Sequence, residues 1–190
     1  MSLKYIPNLL TVSRVLIVPF FILFFLSPVF VNRIMCLVLF FIGSITDFFD
    51  GYIARRYNYV TNFGKLIDPL ADKVLVLSAL ILLNHLYPES IKLWMVVSIV
   101  LRDIFITLYR YVLIKKNVIM KTSFFAKSKT LLQIVVIHIV LIYHVFYNDI
   151  AINRLINFNY YIYMLMLLCT FLTIATGFYY IIINNKNIRK

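Results

Sequence analysis

Six long apolar stretches, separated by short polar breaks, constrain this chain more than any other feature of its sequence. They run over residues 9–30, 33–55, 64–86, 91–115, 124–147 and 158–184. Each is long enough to cross a bilayer, which takes about 20 apolar residues in a helix. Charged residues make up only 14% of the chain, against roughly 25% in a soluble domain. We therefore predict an all-α integral membrane protein with six transmembrane helices, forming a single domain over residues 1–190.

The basic residues are distributed unequally between the two ends of these stretches. Three of the nineteen, Arg33, Lys92 and Arg154, fall near the breaks after the first, third and fifth stretches. The other sixteen lie toward the opposite side, which the positive-inside rule assigns to the cytoplasm together with both termini. A net charge of +12 suits anionic lipid head groups, so we expect the bilayer, and not nucleic acid, as the partner of these charges.

Four of the seven acidic residues stand in residues 44–73, which we call the aspartate window. Asp47 and Asp50 are three apart near the end of the second stretch, and Asp68 and Asp72 are four apart near the start of the third. Both spacings put a pair on one helix face, and the short connection makes the helices antiparallel neighbours. Clustered carboxylates suit hard cations such as Mg²⁺, Mn²⁺ or Ca²⁺. Four can hold two metal ions about 3.5–4 Å apart, an arrangement suited to phosphoryl transfer.

Small residues follow the second aspartate in the same window. Gly51 stands directly after Asp50, where the missing side chain lets a ligand lie against the helix. Ala54 is three residues further on nearly the same face, and Arg55 stands one turn after Gly51, where it can meet a phosphate oxygen. Thr61 adds a hydroxyl in the connection. The combination indicates a slot for a nucleotide diphosphate beside the metal site.

The aspartate window resembles the signature of the CDP-alcohol phosphatidyltransferase family. It reads D-F-F-D-G-Y-I-A-R, then eight residues, then G-K-L-I-D-P-L-A-D. All eight fixed positions of the family's D-x-x-D-G-x-x-A-R-x8-G-x-x-x-D-x-x-x-D are matched. The six-stretch layout extends the resemblance over nearly the whole chain. It implies the family's membrane fold, a homodimer, and a place in a bacterial cytoplasmic membrane with the active site on the cytoplasmic side.

The resemblance also implies a reaction. Family members hold two divalent metal ions, Mg²⁺ or Mn²⁺, with the motif aspartates, here Asp47, Asp50, Asp68 and Asp72. The last, Asp72, is the general base that deprotonates an acceptor alcohol. The alkoxide attacks the β-phosphate of CDP-diacylglycerol, and CMP leaves. The residues expected to contact the CDP-lipid are Gly51, Ala54, Arg55, Thr61 and Gly64, together with Asn8 and Thr11 of a polar stripe that opens the first stretch.

Cations outside the aspartate window bear on the acceptor. Arg102 and Arg110 are eight apart on roughly one face of the fourth stretch, where arginines facing lipid would be costly. Asp103 can pair with one of them. Lys127 and Lys129 open the fifth stretch, although anchoring at the cytoplasmic face explains lysines there nearly as well. We predict that these four cations bind a phosphate on the acceptor, which makes glycerol 3-phosphate the expected acceptor and phosphatidylglycerol phosphate the product.

Other acceptors and one other function class stay open. Asp103 stands where family members with this acceptor usually have Glu, and Ala126 precedes Lys127 where they usually have Gly, which leaves serine, inositol phosphate or phosphatidylglycerol as alternatives. A small divalent-cation transporter could also place aspartates at inner helix ends. A transporter would carry polar residues at mid-span in several helices, whereas the acids here gather at one membrane face.

Overall fold

The computed structural model describes the backbone of residues 6–57, 62–115, 124–146 and 158–188. Side chains are described for residues 13, 15–46, 73–113, 115, 128–146 and 158–184. The helices are α1 (Ile6–Phe25), α2 (Phe30–Tyr57), α3 (Asn62–Leu86), α4 (Leu93–Lys115), α5 (Phe124–Phe146) and α6 (Phe158–Ile188). The described backbone is thus all helical, with six helices and no strand, which confirms the predicted fold class at that level.

The break between α1 and α2 lies earlier than the apolar pattern predicts. Pro28 has no backbone N–H and disfavours helical geometry in Ser27, the residue before it. Helix α1 therefore ends before Ser27. The Ser27 hydroxyl then accepts hydrogen bonds from the Val29 amide at 3.3 Å and from Asn32 Nδ2 at 2.8 Å. These bonds satisfy donors at the start of α2 and let it begin at once. The other boundaries agree with the predicted stretches within four residues.

The α3–α4 connection is closed by its own polar groups. The amides of Ser90 and Ile91 both donate to the Tyr87 carbonyl, at 3.1 and 2.9 Å. Asn84 Nδ2 donates to the Ile91 carbonyl at 2.6 Å, and the Ser90 hydroxyl reaches Asn159 Oδ1 at the start of α6 at 3.2 Å. The connection is therefore tied both to the end of α3 and to α6.

Two of the six helices are long and apolar enough, over their described residues, to cross a membrane: α5 from Ser128 to Phe146 and α6 from Phe158 to Asn184. The apolar parts described for α1, α2 and α3 are shorter. In α4 the charges of Arg102, Asp103 and Arg110 interrupt the apolar run. These findings agree with a membrane protein, and the crossing of all six helices stays a prediction.

The chain divides into two compact units. The first comprises the described residues of Met1–Leu82 and His138–Ile150. Its interior is aromatic: the ring of Phe21 lies 5.9 Å from that of Phe40, and His138 lies 4.9 Å from Phe40 on the other side. Phe25 stacks on His144 at 4.7 Å. These contacts join α1, α2 and the end of α5 within this unit.

The second unit comprises the described residues of Leu83–Ile137 and Ala151–Lys190. It contains α4, the first part of α5, and α6. Large apolar side chains such as Ile99, Leu113 and Ile162 are fully buried in it. Helices α4, α5 and α6 also contribute charged and polar side chains to this unit, which is unusual for helices this apolar. That the chain forms a single domain stays a prediction.

Candidate active site

The four aspartates of the aspartate window lie on two successive helices of the first unit. Asp47 and Asp50 belong to the final three turns of α2, and Asp68 and Asp72 to the first three turns of α3. Their side chains lie outside the described part of the structure. So do those of the expected CDP-lipid residues Asn8, Thr11, Gly51, Ala54, Arg55 and Gly64 and of Lys127, while Thr61 falls outside the described backbone.

A contact between α2 and α3 sets the alignment of these two helices. Gly43 approaches the buried side chain of Leu75 so closely that a Cβ built on the glycine would overlap Leu75 Cδ2. If the helices ran parallel from this contact, Tyr57 and Asn62 would be about 40 Å apart at 1.5 Å per residue. The four residues between them cannot span that distance, because an extended chain reaches at most about 3.6 Å per residue. The two helices therefore run antiparallel.

Helix geometry then puts the aspartate positions at matching heights. Asp47 stands four residues beyond Gly43 and Asp72 three residues before Leu75, which is about 6 and 4.5 Å along the respective axes. Asp50 and Asp68 each stand seven residues from the contact, which is about 10.5 Å. The backbone of each helix thus offers two carboxylate positions at the level of two on its neighbour.

The donor set fits hard divalent cations. It consists of carboxylates alone, on two antiparallel helices, and Mg²⁺ and Mn²⁺ prefer oxygen ligands of this kind. Among the side chains that the structure describes, no group of three or more His, Cys, Asp or Glu could hold a metal ion. The carboxylate positions at matching heights on α2 and α3, predicted from the sequence, are the candidate metal centre.

A second candidate site lies in the other unit, where one carboxylate meets two cations. Arg102 Nη1 donates to Asp103 Oδ1 at 3.0 Å, and Lys129 Nζ donates to the same oxygen at 2.5 Å. Asp103 is 6% and Lys129 7% exposed. Buried charges are stable only when they are paired and hydrogen-bonded, so the expectation that Asp103 pairs with an α4 arginine is confirmed, and Lys129 joins the pair. The three charges sum to +1.

Helix α6 contributes two further residues to this group. Arg102 Nη2 donates to the Thr176 hydroxyl at 3.2 Å, and that hydroxyl donates to the Thr173 carbonyl at 3.0 Å. A Cβ built on Gly177 would lie only 3.0 Å from Arg102 Nε and 3.1 Å from its Cγ. The arginine thus lies against bare helix backbone. We call Arg102, Asp103, Lys129 and Thr176 the Arg102 cluster.

Gln133 lies one helical turn beyond Lys129 on the same face of α5. Its side chain is 2% exposed, and its Nε2 has no hydrogen-bond partner among the residues that the structure describes. A buried amide without a partner costs about 1–3 kcal/mol. A donor kept at that cost next to a buried lysine is a candidate for contact with a ligand.

The predicted acceptor cations do not all come together. Arg102 and Lys129 meet on Asp103, whereas Arg110 is exposed on α4. Eight helical residues amount to two turns plus about 80°, so Arg110 points well away from the buried direction of Arg102. Lys127 opens the same helix as Lys129, and its side chain is outside the described set.

Sequence reasoning missed Gln133, Thr176 and Gly177. The available signal was a polar stripe in an apolar helix: the buried face of α6 carries Thr170, Thr173, Gly177, Tyr180 and Asn184 at helical spacing. Polar residues that recur every three or four positions on a buried face indicate a polar neighbour. Arg102 is that neighbour at Gly177, whereas Thr170, Thr173 and Asn184 donate to carbonyls one turn back on α6.

Comparison with known proteins gives the family of this chain. The model of the CDP-alcohol phosphatidyltransferase family matches residues 4–182. A CDP-diacylglycerol–glycerol-3-phosphate 3-phosphatidyltransferase of Rickettsia typhi is 36% identical over 182 residues, which is 94% of this chain and 96% of the relative. Proteins of the same name are similar in Bacillus subtilis, with 36% identity over 73% of this chain and 77% of the relative, and in Escherichia coli K12, with 37% over 68% and 72%. The chain therefore belongs to the CDP-alcohol phosphatidyltransferase family, as its aspartate window indicated.

Proposed function

We propose that this enzyme transfers the phosphatidyl group of CDP-diacylglycerol to glycerol 3-phosphate, giving phosphatidylglycerol phosphate and CMP. The observation that carries the choice of acceptor is the buried Arg102 cluster. It holds two cations against one carboxylate. Relatives that match over most of their length are named for this same reaction.

The charge of the Arg102 cluster suits an acceptor that carries its own phosphate. Its excess positive charge is buried, and a phosphate can neutralise that charge through charge-assisted hydrogen bonds. Serine brings no phosphate, and a phosphate-free alcohol would leave the excess charge unmatched. In this proposal Arg102 and Lys129 bind the acceptor phosphate directly, while Arg110 and Lys127 contribute from its periphery.

The chemistry is proposed for the aspartate window. Asp47, Asp50, Asp68 and Asp72 would hold two ions of Mg²⁺ or Mn²⁺, which when bound would offset charge on the diphosphate and on the leaving CMP. Asp72 takes the proton from the attacking hydroxyl of the acceptor. That oxygen forms a bond to the β-phosphorus as the bond between this phosphorus and the oxygen of CMP breaks. The matching heights of the four positions on α2 and α3 support this assignment.

The CDP-lipid is proposed to lie along the same helices. Gly51 and Ala54 leave room beside the α2 backbone, and Arg55 places a cation one turn further on. The full set of proposed CDP-lipid residues is Asn8, Thr11, Gly51, Ala54, Arg55, Thr61 and Gly64. Alanine at Arg55 should raise the KM for CDP-diacylglycerol and leave that for glycerol 3-phosphate unchanged; the reverse pattern would contradict the assignment.

We propose further that all six helices cross a bacterial cytoplasmic membrane as one domain with both termini inside. The exposed face of α4 supports this, because Leu101, Ile104, Phe105 and Leu108 are exposed there while Asp103 is buried. An apolar exterior over a charged interior suits lipid. A cysteine placed at Ser2 should react with a membrane-impermeant maleimide only after the membrane is opened. Reaction in intact cells would overturn the orientation.

A homodimer is proposed on the family resemblance. Light scattering of the purified protein in detergent should give twice the chain mass of 22.4 kDa once the detergent is subtracted. A mass of one chain at all concentrations tested would contradict the proposal.

The central test measures CMP release. Purified protein with CDP-diacylglycerol and Mg²⁺ or Mn²⁺ should release CMP when glycerol 3-phosphate is added, and glycerol, serine and inositol phosphate serve as matched alternatives. Release with one of these but not with glycerol 3-phosphate would overturn the acceptor. No release with any acceptor would overturn the transferase.

A further inference from the structure

The side chain of Arg102 is held at its guanidinium and packed along its stem. Its Nη1 donates to Asp103 on its own helix, and its Nη2 donates to Thr176 on α6. Before the guanidinium, the side chain runs beside Gly177 so closely that a methyl group there would fit only if Arg102 shifted slightly. An arginine side chain has several rotatable bonds, so each of these contacts removes conformational freedom that a ligand would otherwise have to remove.

The Thr176 hydroxyl is itself fixed. It donates its proton to the Thr173 carbonyl at 3.0 Å, which leaves its oxygen lone pairs for Arg102. A hydroxyl without that second bond could rotate and turn its proton toward the guanidinium. The α6 backbone therefore orients the acceptor that holds Arg102.

The guanidinium keeps donors in reserve while it is held. It carries five N–H donors in a planar fork, of which one on Nη1 and one on Nη2 are used by Asp103 and Thr176. The Nε–H is buried and has no partner among the described residues. An anion can thus bind to the remaining donors without breaking either bond that fixes the side chain.

We propose that Thr176 and Gly177 of α6 are positioning residues for the acceptor phosphate, because they hold Arg102 in the orientation in which it binds that phosphate. The inference rests on the proposed function. In this proposal α6 contributes to acceptor recognition, although neither Thr176 nor Gly177 contacts the acceptor. The ligand class is a phosphate monoester, with glycerol 3-phosphate as the probe.

The decisive variant is Gly177→Ala. Its methyl group would lie 3.0 Å from Arg102 Nε and 3.1 Å from Cγ, so the stem has to shift while the guanidinium is tied to Asp103 and Thr176. We expect the KM for glycerol 3-phosphate to rise about tenfold, the loss typical of a disturbed hydrogen bond to a charged group. The KM for CDP-diacylglycerol should stay within about twofold, a change too small to indicate a lost contact.

Thr176 supplies an independent pair of variants. Thr176→Val keeps the shape and removes the hydroxyl, so it should raise the same KM. Thr176→Ser restores the hydroxyl and should return the KM toward the wild-type value. Ala175→Leu is the matched control, because Ala175 is exposed on the same turn of α6 and a larger side chain there should not displace Arg102. Both KM values should stay unchanged.

A binding measurement separates positioning from turnover. Glycerol 3-phosphate should raise the melting temperature of the wild-type protein in detergent, because a ligand that binds the folded state stabilises it. Glycerol should not. The shift should be smaller in Gly177→Ala and in Thr176→Val, and restored in Thr176→Ser.

The outcomes distinguish this inference from the proposed function. If wild-type protein releases CMP with glycerol 3-phosphate but Gly177→Ala and Thr176→Val keep the wild-type KM and melting shift, the positioning role is wrong and the function stands. If both variants lose kcat with no change in either KM, the role is also wrong, since α6 would then act on the chemical step. If wild-type protein uses no phosphorylated acceptor, the proposed function itself fails.

Discussion

The aspartate window and the Arg102 cluster hold charge in opposite ways. The window gathers four carboxylate positions on α2 and α3 within residues 44–73. The cluster carries its own counterion, because Asp103 takes both Arg102 and Lys129 on one oxygen. Four carboxylates repel one another unless cations lie between them. The Arg102 cluster instead contains its own counterion, and its three charges sum to +1. We infer that the window is built for metal ions and the cluster for one anionic group.

The largest effect is expected at Asp72, in the aspartate window. Asp72→Asn should lower kcat by about 10²- to 10⁴-fold, the usual loss of a general base. Stabilisation by glycerol 3-phosphate should remain, because the Arg102 cluster is untouched. CMP release and melting temperature are measured on the same samples.

The matched control for this change is Glu89→Gln. Glu89 is an exposed acid paired with Lys92 in the α3–α4 connection, and its amide should leave kcat unchanged. Equal activity of Asp72→Asn and wild-type protein would contradict the assignment of the base.

The next largest effect is expected at Asp103. Asp103→Asn leaves the buried Lys129 and the half-buried Arg102 with no carboxylate between them, which should destabilise the fold by about 3–5 kcal/mol. Asp103→Glu keeps the charge and should recover most of that stability. Unfolding by denaturant in mixed micelles measures both variants.

The equivalent change in the aspartate window should have the opposite effect on stability. Asp50→Asn relieves repulsion among the carboxylates and should not destabilise the protein when no metal is present. A similar loss of stability in both variants would show that the two regions hold charge in the same way.

A smaller effect is predicted at Gln133. Gln133→Met removes the buried amide at similar volume, so the ligand-free protein should gain stability by up to about 1–3 kcal/mol. The KM for glycerol 3-phosphate should rise at the same time, by about tenfold if the amide contacts the acceptor. Thermal unfolding without ligand and initial rates with it are the two measurements. A variant that is less stable and keeps its KM would assign Gln133 a structural role.

The smallest effect is expected at Arg110. Its exposed position limits its pull on a phosphate to about 0–1 kcal/mol, so Arg110→Ala should raise the acceptor KM by roughly twofold and leave the KM for CDP-diacylglycerol unchanged. Arg102→Ala is the comparison and should raise the acceptor KM about tenfold or more. Equal effects of the two variants would place Arg110 in the site beside Arg102.

The antiparallel pairing of the two helices that carry the aspartate window was predictable from sequence, because these helices are close together along the chain. Two helix periods and a short connection are enough to bring Asp47 and Asp50 level with Asp68 and Asp72. The polar breaks likewise predicted most helix boundaries, because a boundary depends on neighbouring residues. The early start of α2 was not predicted, because it depends on side-chain hydrogen bonds of Ser27.

The Arg102 cluster was only half predictable. Asp103 is 26 residues from Lys129, and Arg102 is 74 residues from Thr176. Such contacts depend on which helices become neighbours and on how each is rotated about its axis, and composition fixes neither. The rotation also separated Arg110 from Arg102, since an 80° difference around a helix is enough to divide a buried side chain from an exposed one.

The adjacency of Arg102 and Asp103 has a consequence for how the chain enters its membrane. On the proposed topology α4 must be inserted with three charged residues inside its span, Arg102, Asp103 and Arg110, besides Lys115 at its end. Each charge costs about 2.5–3.5 kcal/mol near the bilayer centre. Since two of the three are opposite charges on neighbouring residues, their pair can form within α4 during synthesis, before α5 and α6 leave the ribosome. Lys129 and Thr176 then bind to a pair already in place, so the order of synthesis matches the order in which the cluster can be built.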